Sequence, residues 1–251
     1  MRVLILGGTR EVSQLAVKAG AIPGIEIIVS LAGRTCQPIK TNLQTRIGGF
    51  GGREGLVNYL QTNAIALIID ATHPFAAQIS FNAFTAAQRC NIPYLMLVRP
   101  QWQPVKGDRW IEVEDFKTAA DLLPSLAKRV FLSIGKQELS NFIDLKNIWF
   151  LMRAIEPPAA NKLVPQGHLL LQKGPFSLID ELQLLKEYQI EAIVSKNSGG
   201  KATYAKIIAA RELSLPVVMV KRPKIPECDR VFDIETALNW IDSKVRSHKR
   251  K

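Results

Sequence analysis

The chain alternates short apolar segments with patterns typical of helices, and this alternation restricts its fold more than any other feature. The first half has apolar segments at residues 3–6, 25–31, 65–70 and 94–98 and helical patterns at residues 10–16, 54–62 and 75–89. The second half has apolar segments at residues 130–134, 149–155, 192–195 and 216–220 and helical patterns at residues 138–142, 176–188 and 204–213. This order is typical of a parallel sheet covered by helices on both faces, so we predict an α/β fold.

The two halves share a pattern at a constant spacing. Ala86, Pro93, Met96, Arg99 and Pro100 recur as Ala209, Pro216, Met219, Arg222 and Pro223, an offset of 223 − 100 = 123 residues. Each half then closes with a strand and a helix, at residues 110–126 and 231–245. Sheet packing alone can produce such endings, but the matching Arg-Pro pairs favour duplication. We predict two similar Rossmann-like domains with parallel sheets and a cleft between them: residues 1–101, a connecting strand and helix at 102–128, and residues 129–251.

Composition excludes several classes of protein. Hydrophobic residues make up 47% of the 251 residues, which is too many for a disordered chain. No apolar run approaches the ~18 residues of a transmembrane helix, and the first residues make a poor secretion signal. The three cysteines have no CxxC spacing. We therefore expect reduced thiols in a cytoplasmic protein, with no disulfide framework, no metal site and no membrane partner.

The charge of the chain predicts an anionic partner. Lys and Arg total 33 against 22 Asp and Glu, a net charge of +11. Residues 244–251 carry five of these positive charges, so the rest of the chain keeps 11 − 5 = +6. Such a balance suits either nucleic acid or a small molecule with several phosphates or carboxylates. We find no aromatic–basic RNA signature and no helix-turn-helix pattern, so we expect no nucleic-acid partner.

Two segments of the first half predict a dinucleotide site. Gly7, Gly8, Thr9 and Arg10 follow the first apolar segment, where glycines let the backbone approach a phosphate at a helix start. Tight turns use the same residues, and the full G-x-G-x-x-G pattern is absent, so this signal is weak alone. Ser30 lies at the end of the second apolar segment, and Gly33 and Arg34 follow it, without the acidic residue that binds the ribose of NAD. Together these segments favour NADP over NAD.

Polar residues follow two further strands of the predicted sheets. Thr72 and His73 come directly after the third apolar segment, where we expect contact with ribose or nicotinamide. A second group is a candidate anion site in the second half, with its glycines, hydroxyl, amide and amines near a helix start: Lys196, Asn197, Ser198, Gly199, Gly200 and Lys206. Lys136 and Arg153 are predicted to bind substrate with this group. The phosphate-loop pattern of ATPases is absent.

No hydrolytic triad and no paired carboxylates are evident. What remains is a binding cleft for anions and a dinucleotide, which suits hydride transfer. Five motifs occur in order along the chain: residues 6–9 (LGGT), 70–76 (DATHPFA), 99–102 (RPQW), 174–176 (GPF) and 196–200 (KNSGG). Together they resemble the precorrin-6A reductase family of cobalamin biosynthesis. One departure is Val12, where the family pattern leads us to expect a smaller residue beside the phosphates.

The resemblance implies an activity and roles for the candidate residues. It implies NADPH-dependent reduction of a ring double bond in precorrin-6A, or in its cobalt complex, to precorrin-6B. The substrate would be a polycarboxylate tetrapyrrole, which suits a basic protein. The proton that accompanies the hydride can come from His73, Lys196, Lys206 or solvent. We expect a monomer or weak homo-oligomer. The alternative is a non-catalytic NADP-binding regulatory protein.

Overall fold

A computed structural model describes residues 1–32 and 43–248. Within them the strands are β1 (Arg2–Leu6), β2 (Glu26–Leu31), β3 (Gln44–Ile47), β4 (Ile65–Asp70), β5 (Tyr94–Leu97), β6 (Arg109–Val113), β7 (Arg129–Ser133), β8 (Trp149–Ala154), β9 (Gly167–Leu171), β10 (Ala192–Lys196), β11 (Pro216–Val220) and β12 (Arg230–Val231). The α-helices are α1 (Arg10–Gly20), α2 (Gly52–Thr62), α3 (Ala77–Arg89), α4 (Phe116–Leu122), α5 (Leu178–Glu187), α6 (Ala205–Glu212) and α7 (Ile234–His248). None of the described helices is both long and apolar enough to cross a membrane.

The strands form two six-stranded parallel sheets with the same order. The first sheet runs β12-β5-β4-β1-β2-β3, and the second runs β6-β11-β10-β7-β8-β9. The strand order reverses beside β1 in the first sheet and beside β7 in the second, as in dinucleotide-binding folds. The predicted α/β class with two Rossmann-like sheets is confirmed.

Each sheet is buried because helices cover its apolar strands. In the first unit, α1 and α7 pack on one face of the sheet, and α2 and α3 pack on the other. In the second unit, α5 and α6 cover one face around Phe131 and Ile193. Strands buried on both faces read as nearly continuous apolar runs, which explains why the sequence pattern located most of them. The polar strand β3 and the strand β9 were not predicted, and residues 139–142 form a 3₁₀ turn.

The two compact units differ from the predicted domains. One unit comprises Met1–Arg99 and Pro223–Lys251, and the other comprises Pro100–Arg222. The prediction was wrong in assigning residues 223–251 to the second domain and in treating residues 102–128 as a connection. Strand β6 pairs with β11, and β12 pairs with β5, so each closing strand belongs to the other half's sheet. The reason is that β5 and β11 offer equivalent edges, and a strand-helix pattern does not encode which edge the next strand joins.

Both closing helices begin with the same cap. The side chain of Asp115 accepts a hydrogen bond from the backbone N–H of Thr118 at 2.8 Å, and Asp233 accepts one from that of Thr236 at 2.8 Å. These bonds satisfy backbone donors at the starts of α4 and α7 and lower the pKa of each aspartate. The shared Asp-x-x-Thr cap adds to the evidence for duplication.

Candidate functional site

The turn after β1 requires glycine. Gly7 has φ +132°, and a Cβ built there would lie 2.5 Å from the carbonyl oxygen of Ala71 and 2.9 Å from Cγ2 of Val12. The missing side chain lets this turn approach the end of β4 and leaves room for Val12, which is 1% exposed. The larger residue at position 12 is therefore accommodated inside the core.

Helix α1 offers its N-terminus at the same edge. Thr9 is the N-cap residue, and among the described residues its side chain makes no capping hydrogen bond. The first-turn N–H groups, which have no partners within a helix, therefore suit an anion. Glu11 in this turn forms an ion pair with Arg99, with Nε and Oε1 3.7 Å apart. Arg10 begins the helix, but its side chain lies outside the described residues.

An arginine that was not predicted lies beside the end of β2. Ser30 is 5% exposed, and Nη1 of Arg46 on β3 lies 3.4 Å from its Oγ. The guanidinium also donates to the carbonyls of Gly48 and Gly49, at 2.5 and 2.6 Å, and lies over the ring of Phe50. Arg46 was missed because β3 has no apolar pattern that would have predicted a strand. The predicted Gly33 and Arg34 lie outside the described residues.

A buried carboxylate organises the loop after β4. Asp70 is 1% exposed and accepts hydrogen bonds from the hydroxyl of Tyr94 at 2.7 Å and the backbone N–H of Thr72 at 3.0 Å. Burial, followed by the charge of Asp70, raises the pKa of Tyr94 above its ordinary value, so the phenol stays protonated. The hydroxyl of Thr72 lies 3.2 Å from that of Ser80 on α3. Thr72 is thus held from two sides.

The imidazole of His73 has a defined hydrogen bond. Its Nδ1 accepts from the backbone N–H of Phe75 at 3.2 Å, so the proton of the neutral ring is on Nε2. The carbonyl of His73 accepts from the N–H of Ala76 at 2.7 Å. These bonds fix both the backbone and the ring in the loop that Asp70 anchors.

The first unit therefore brings most of its predicted residues to one edge of its sheet. In the parallel ladders, Leu6 lies opposite both Ser30 and Asp70, so β1, β2 and β4 end together. Gly7, Gly8, Thr9, Ser30, Thr72 and His73 lie at or directly after these strand ends. A glycine turn, an uncapped helix start and an arginine beside the second strand fit a phosphorylated dinucleotide.

Two of the three lysines predicted in the second unit form ion pairs. Lys196, at the end of β10, lies 3.5 Å from Glu138, and Lys136, which follows β7, lies 3.2 Å from Glu156. Ser133 and Ser195 pair across β7 and β10, so both lysines lie at the carboxyl edge of the second sheet. Lys136 also donates to the carbonyl of Pro157 at 3.3 Å.

The loop at residues 197–200 is bound to the start of its own unit. The side-chain amide of Asn197 donates to the carbonyl of Trp102 at 3.1 Å and accepts from its N–H at 2.9 Å. The indole of Trp102 donates to the carbonyl of Gly200 at 2.9 Å. Gly199 has φ +69°, and a Cβ there would lie 2.1 Å from the carbonyl oxygen of Pro100. The hydroxyl of Ser198 is 3.4 Å from the carbonyl of Lys196. These residues first of all fix the loop.

Arg153 and Lys206 lie in a buried charged cluster. Arg153 donates to Glu181 at 2.6 Å, with the side chains 7% and 1% exposed, beside a cavity of about 290 Å³. Nζ of Lys206 donates to the carbonyl of Thr203 at 3.0 Å. Burial lowers the pKa of Lys206 to about 8, partly offset by the charge of Glu181. Glu181 was not predicted, because a carboxylate on an amphipathic helix has no distinctive pattern.

Comparison with known proteins identifies the family. The family model described as Precorrin-6x reductase CbiJ/CobK matches residues 2–242. The chain belongs to this family. It is 46% identical over 246 residues to the Precorrin-6A reductase of Rhodococcus erythropolis, covering 98% of this chain and 99% of that protein. It is 44% identical to that of a Sinorhizobium species, covering 96% and 92%.

A solved structure agrees with this family over almost the whole chain. The CobK precorrin-6A reductase structure superposes with a TM-score of 0.89 at 41% identity, covering 97% of this chain and 96% of that one. The resemblance stated from the motifs is therefore confirmed. Family membership makes the chain an oxidoreductase of cobalamin biosynthesis.

Proposed function

We propose that this protein reduces a ring double bond of precorrin-6A with NADPH and yields precorrin-6B. The observation that carries the proposal is the identity of 41–46% with relatives named Precorrin-6A reductase over nearly their full length. Relatives named Cobalt-precorrin-6A reductase are 26–28% identical. This difference favours the metal-free macrocycle as substrate.

The first unit holds the cofactor in this proposal. Its phosphates bind at Gly7, Gly8, Thr9 and the start of α1, where backbone N–H groups and the helix dipole favour an anion. The 2′-phosphate binds near Ser30, with Arg34 and Arg46 as its cationic partners. When bound, NADPH supplies the hydride for the reduction.

Residues of this chain then orient the reactants and supply a proton. Thr72 and His73 are held rigidly by the Asp70 network and position the cofactor's ribose or nicotinamide. His73, Lys196, Lys206 and solvent are the candidate proton sources. Of these, Lys206 has its pKa lowered to about 8, near the range in which general acids work best.

Basic residues of the second unit bind the carboxylates of the substrate. Lys136, Lys196 and Arg153 provide charge, and residues 197–200 provide polar groups of a loop held in place by Trp102. Guanidinium and ammonium groups at fixed positions favour a polycarboxylate over neutral molecules.

The experiment is NADPH consumption by the purified protein, followed by the absorbance of its reduced nicotinamide. We expect consumption with precorrin-6A, slower consumption with the cobalt complex, and slower consumption with NADH. Binding of NADPH without consumption in the presence of either macrocycle would contradict the proposal and favour the regulatory alternative.

A further inference from the structure

Pro223–Lys251, the segment exchanged into the first unit, contributes to a cavity at the edge of the first sheet where the cofactor is proposed to bind. The cavity has a volume of about 270 Å³. It is lined by residues from the start of α1, the ends of β4 and β5, and the turn between β12 and α7, including Thr9, Thr72, Leu97, Arg99, Phe232 and Asp233. All of them belong to the same compact unit.

The strand order indicates which part of a dinucleotide this cavity takes. A sheet of this order consists of two mononucleotide-binding halves that meet beside its first strand. The ribose next to the adenine binds at the end of the second strand, where Ser30 and Arg46 lie in this protein. The cavity is on the opposite side of β1, at the ends of β4 and β5 and beside β12. It therefore corresponds to the half that takes the nicotinamide nucleoside.

Phe232 is the residue in this cavity that fits an aromatic ring. Phe232 is 58% exposed, although a phenyl ring gains free energy by leaving water. Its neighbours are fixed: the carbonyl of Val231 accepts from the N–H of Val98 at 2.9 Å, and Asp233 caps α7. An exposed ring held between two anchored residues is preorganised to pack against a planar ligand.

We propose that Phe232 packs against the nicotinamide ring of the cofactor and that the exchanged segment thereby completes the cofactor pocket. This inference rests on the proposed function. It goes beyond it by giving the last strand and helix of the chain a role in cofactor binding. The polar part of the pocket, Thr9 and Thr72, faces the ribose and phosphate, while Phe232 and Leu97 form its apolar part and exclude water.

The test compares two ligands that differ in the nicotinamide nucleotide. NADPH contains it, whereas 2′,5′-ADP keeps the adenosine half with its 2′-phosphate and lacks the nicotinamide. Titration calorimetry with Phe232→Ala should show a loss of NADPH affinity of about 3- to 30-fold, while the affinity for 2′,5′-ADP stays that of the wild type. Phe232→Tyr should retain wild-type affinity for both ligands because it keeps the ring.

Phe81→Ala is the matched control, because Phe81 is also an exposed phenylalanine of this unit, 42% exposed, and lies on α3, which contributes no lining residue to the cavity. It should leave both affinities unchanged. Equal NADPH affinity in Phe232→Ala and the wild type would overturn the inference, and so would an equal loss of both ligands. A wild-type protein that binds neither ligand would instead refute the proposed cofactor.

Discussion

Replacement of Arg46 by alanine should change the preference between NADPH and NADH. The guanidinium makes three hydrogen bonds to the described residues Ser30, Gly48 and Gly49, which leaves two of its five N–H groups for a ligand. A charge-assisted hydrogen bond contributes about 1.5–3 kcal/mol, so the affinity for NADPH should fall roughly 10- to 150-fold. NADH has no 2′-phosphate and should be affected much less.

The ratio of the two cofactors separates binding from loop structure. Arg46 also holds the carbonyls of Gly48 and Gly49, and the loss of these bonds would weaken both cofactors alike. The assay is therefore the ratio of kcat/KM for NADPH to that for NADH, together with direct titration of 2′,5′-ADP. Arg46→Lys should be intermediate because it keeps the charge and loses the forked geometry.

Arg2→Ala provides the matched control. Arg2 lies at the amino end of β1, at the opposite edge of the same sheet, where it pairs with Glu26 at 2.8 Å. Its removal takes away the same charge without touching the candidate site, so the cofactor ratio should stay that of the wild type. An unchanged ratio in Arg46→Ala, or an equal change in both variants, would refute the placement of the 2′-phosphate beside Arg46.

Three further predictions concern stability and proton supply. His73→Asn should retain much of the activity and His73→Ala less, because an amide oxygen can still accept from Phe75. Equal inactivity of the two, with loss of an inflection in the pH–rate profile, would make His73 the proton donor. Glu181→Gln should lower the free energy of unfolding by about 3–5 kcal/mol, since it leaves the buried Arg153 unpaired. Glu54→Gln should lower it by at most about 1 kcal/mol, because the pair of Glu54 with Arg89 is exposed. Similar losses for the two variants in denaturant unfolding would contradict this prediction. Between pH values of about 8 and 10.5, the free energy of unfolding of the wild type should rise relative to that of Lys206→Met. The reason is that the folded protein releases the Lys206 proton at lower pH than the unfolded chain does. A difference that stays constant over this pH range would contradict the lowered pKa of Lys206.

The sequence predicted the sheets well because their strands are buried on both faces. Strand β4, for example, is an unbroken apolar run before Asp70. Gly7 follows β1 at a turn where a Cβ would clash with the carbonyl oxygen of Ala71. Strand β3 lacks such a pattern, since its residues are polar or exposed. Arg46 was not predicted for the same reason, because its nearness to Ser30 depends on strand pairing rather than on spacing along the chain.

The domain boundaries were beyond the sequence for a different reason. The Arg-Pro repeat, which was taken only as evidence for duplication, lies where the chain leaves one unit for the other, at residues 99–100 and 222–223. The repeat does not indicate which sheet the next strand joins, because the edges of β5 and β11 are equivalent. Phe232 was consequently overlooked as a candidate site residue: its cavity exists only because β12 joins β5.

Transfer of deuterium from labelled cofactor to the macrocycle shows directly whether this protein carries out the proposed reduction. NADPH carrying deuterium at the transferable C4 position is incubated with the protein and precorrin-6A, and the product is examined by mass spectrometry. We expect precorrin-6B that contains one deuterium at a ring carbon, formed only in the presence of the protein. Recovery of unlabelled precorrin-6A together with intact labelled NADPH would contradict it.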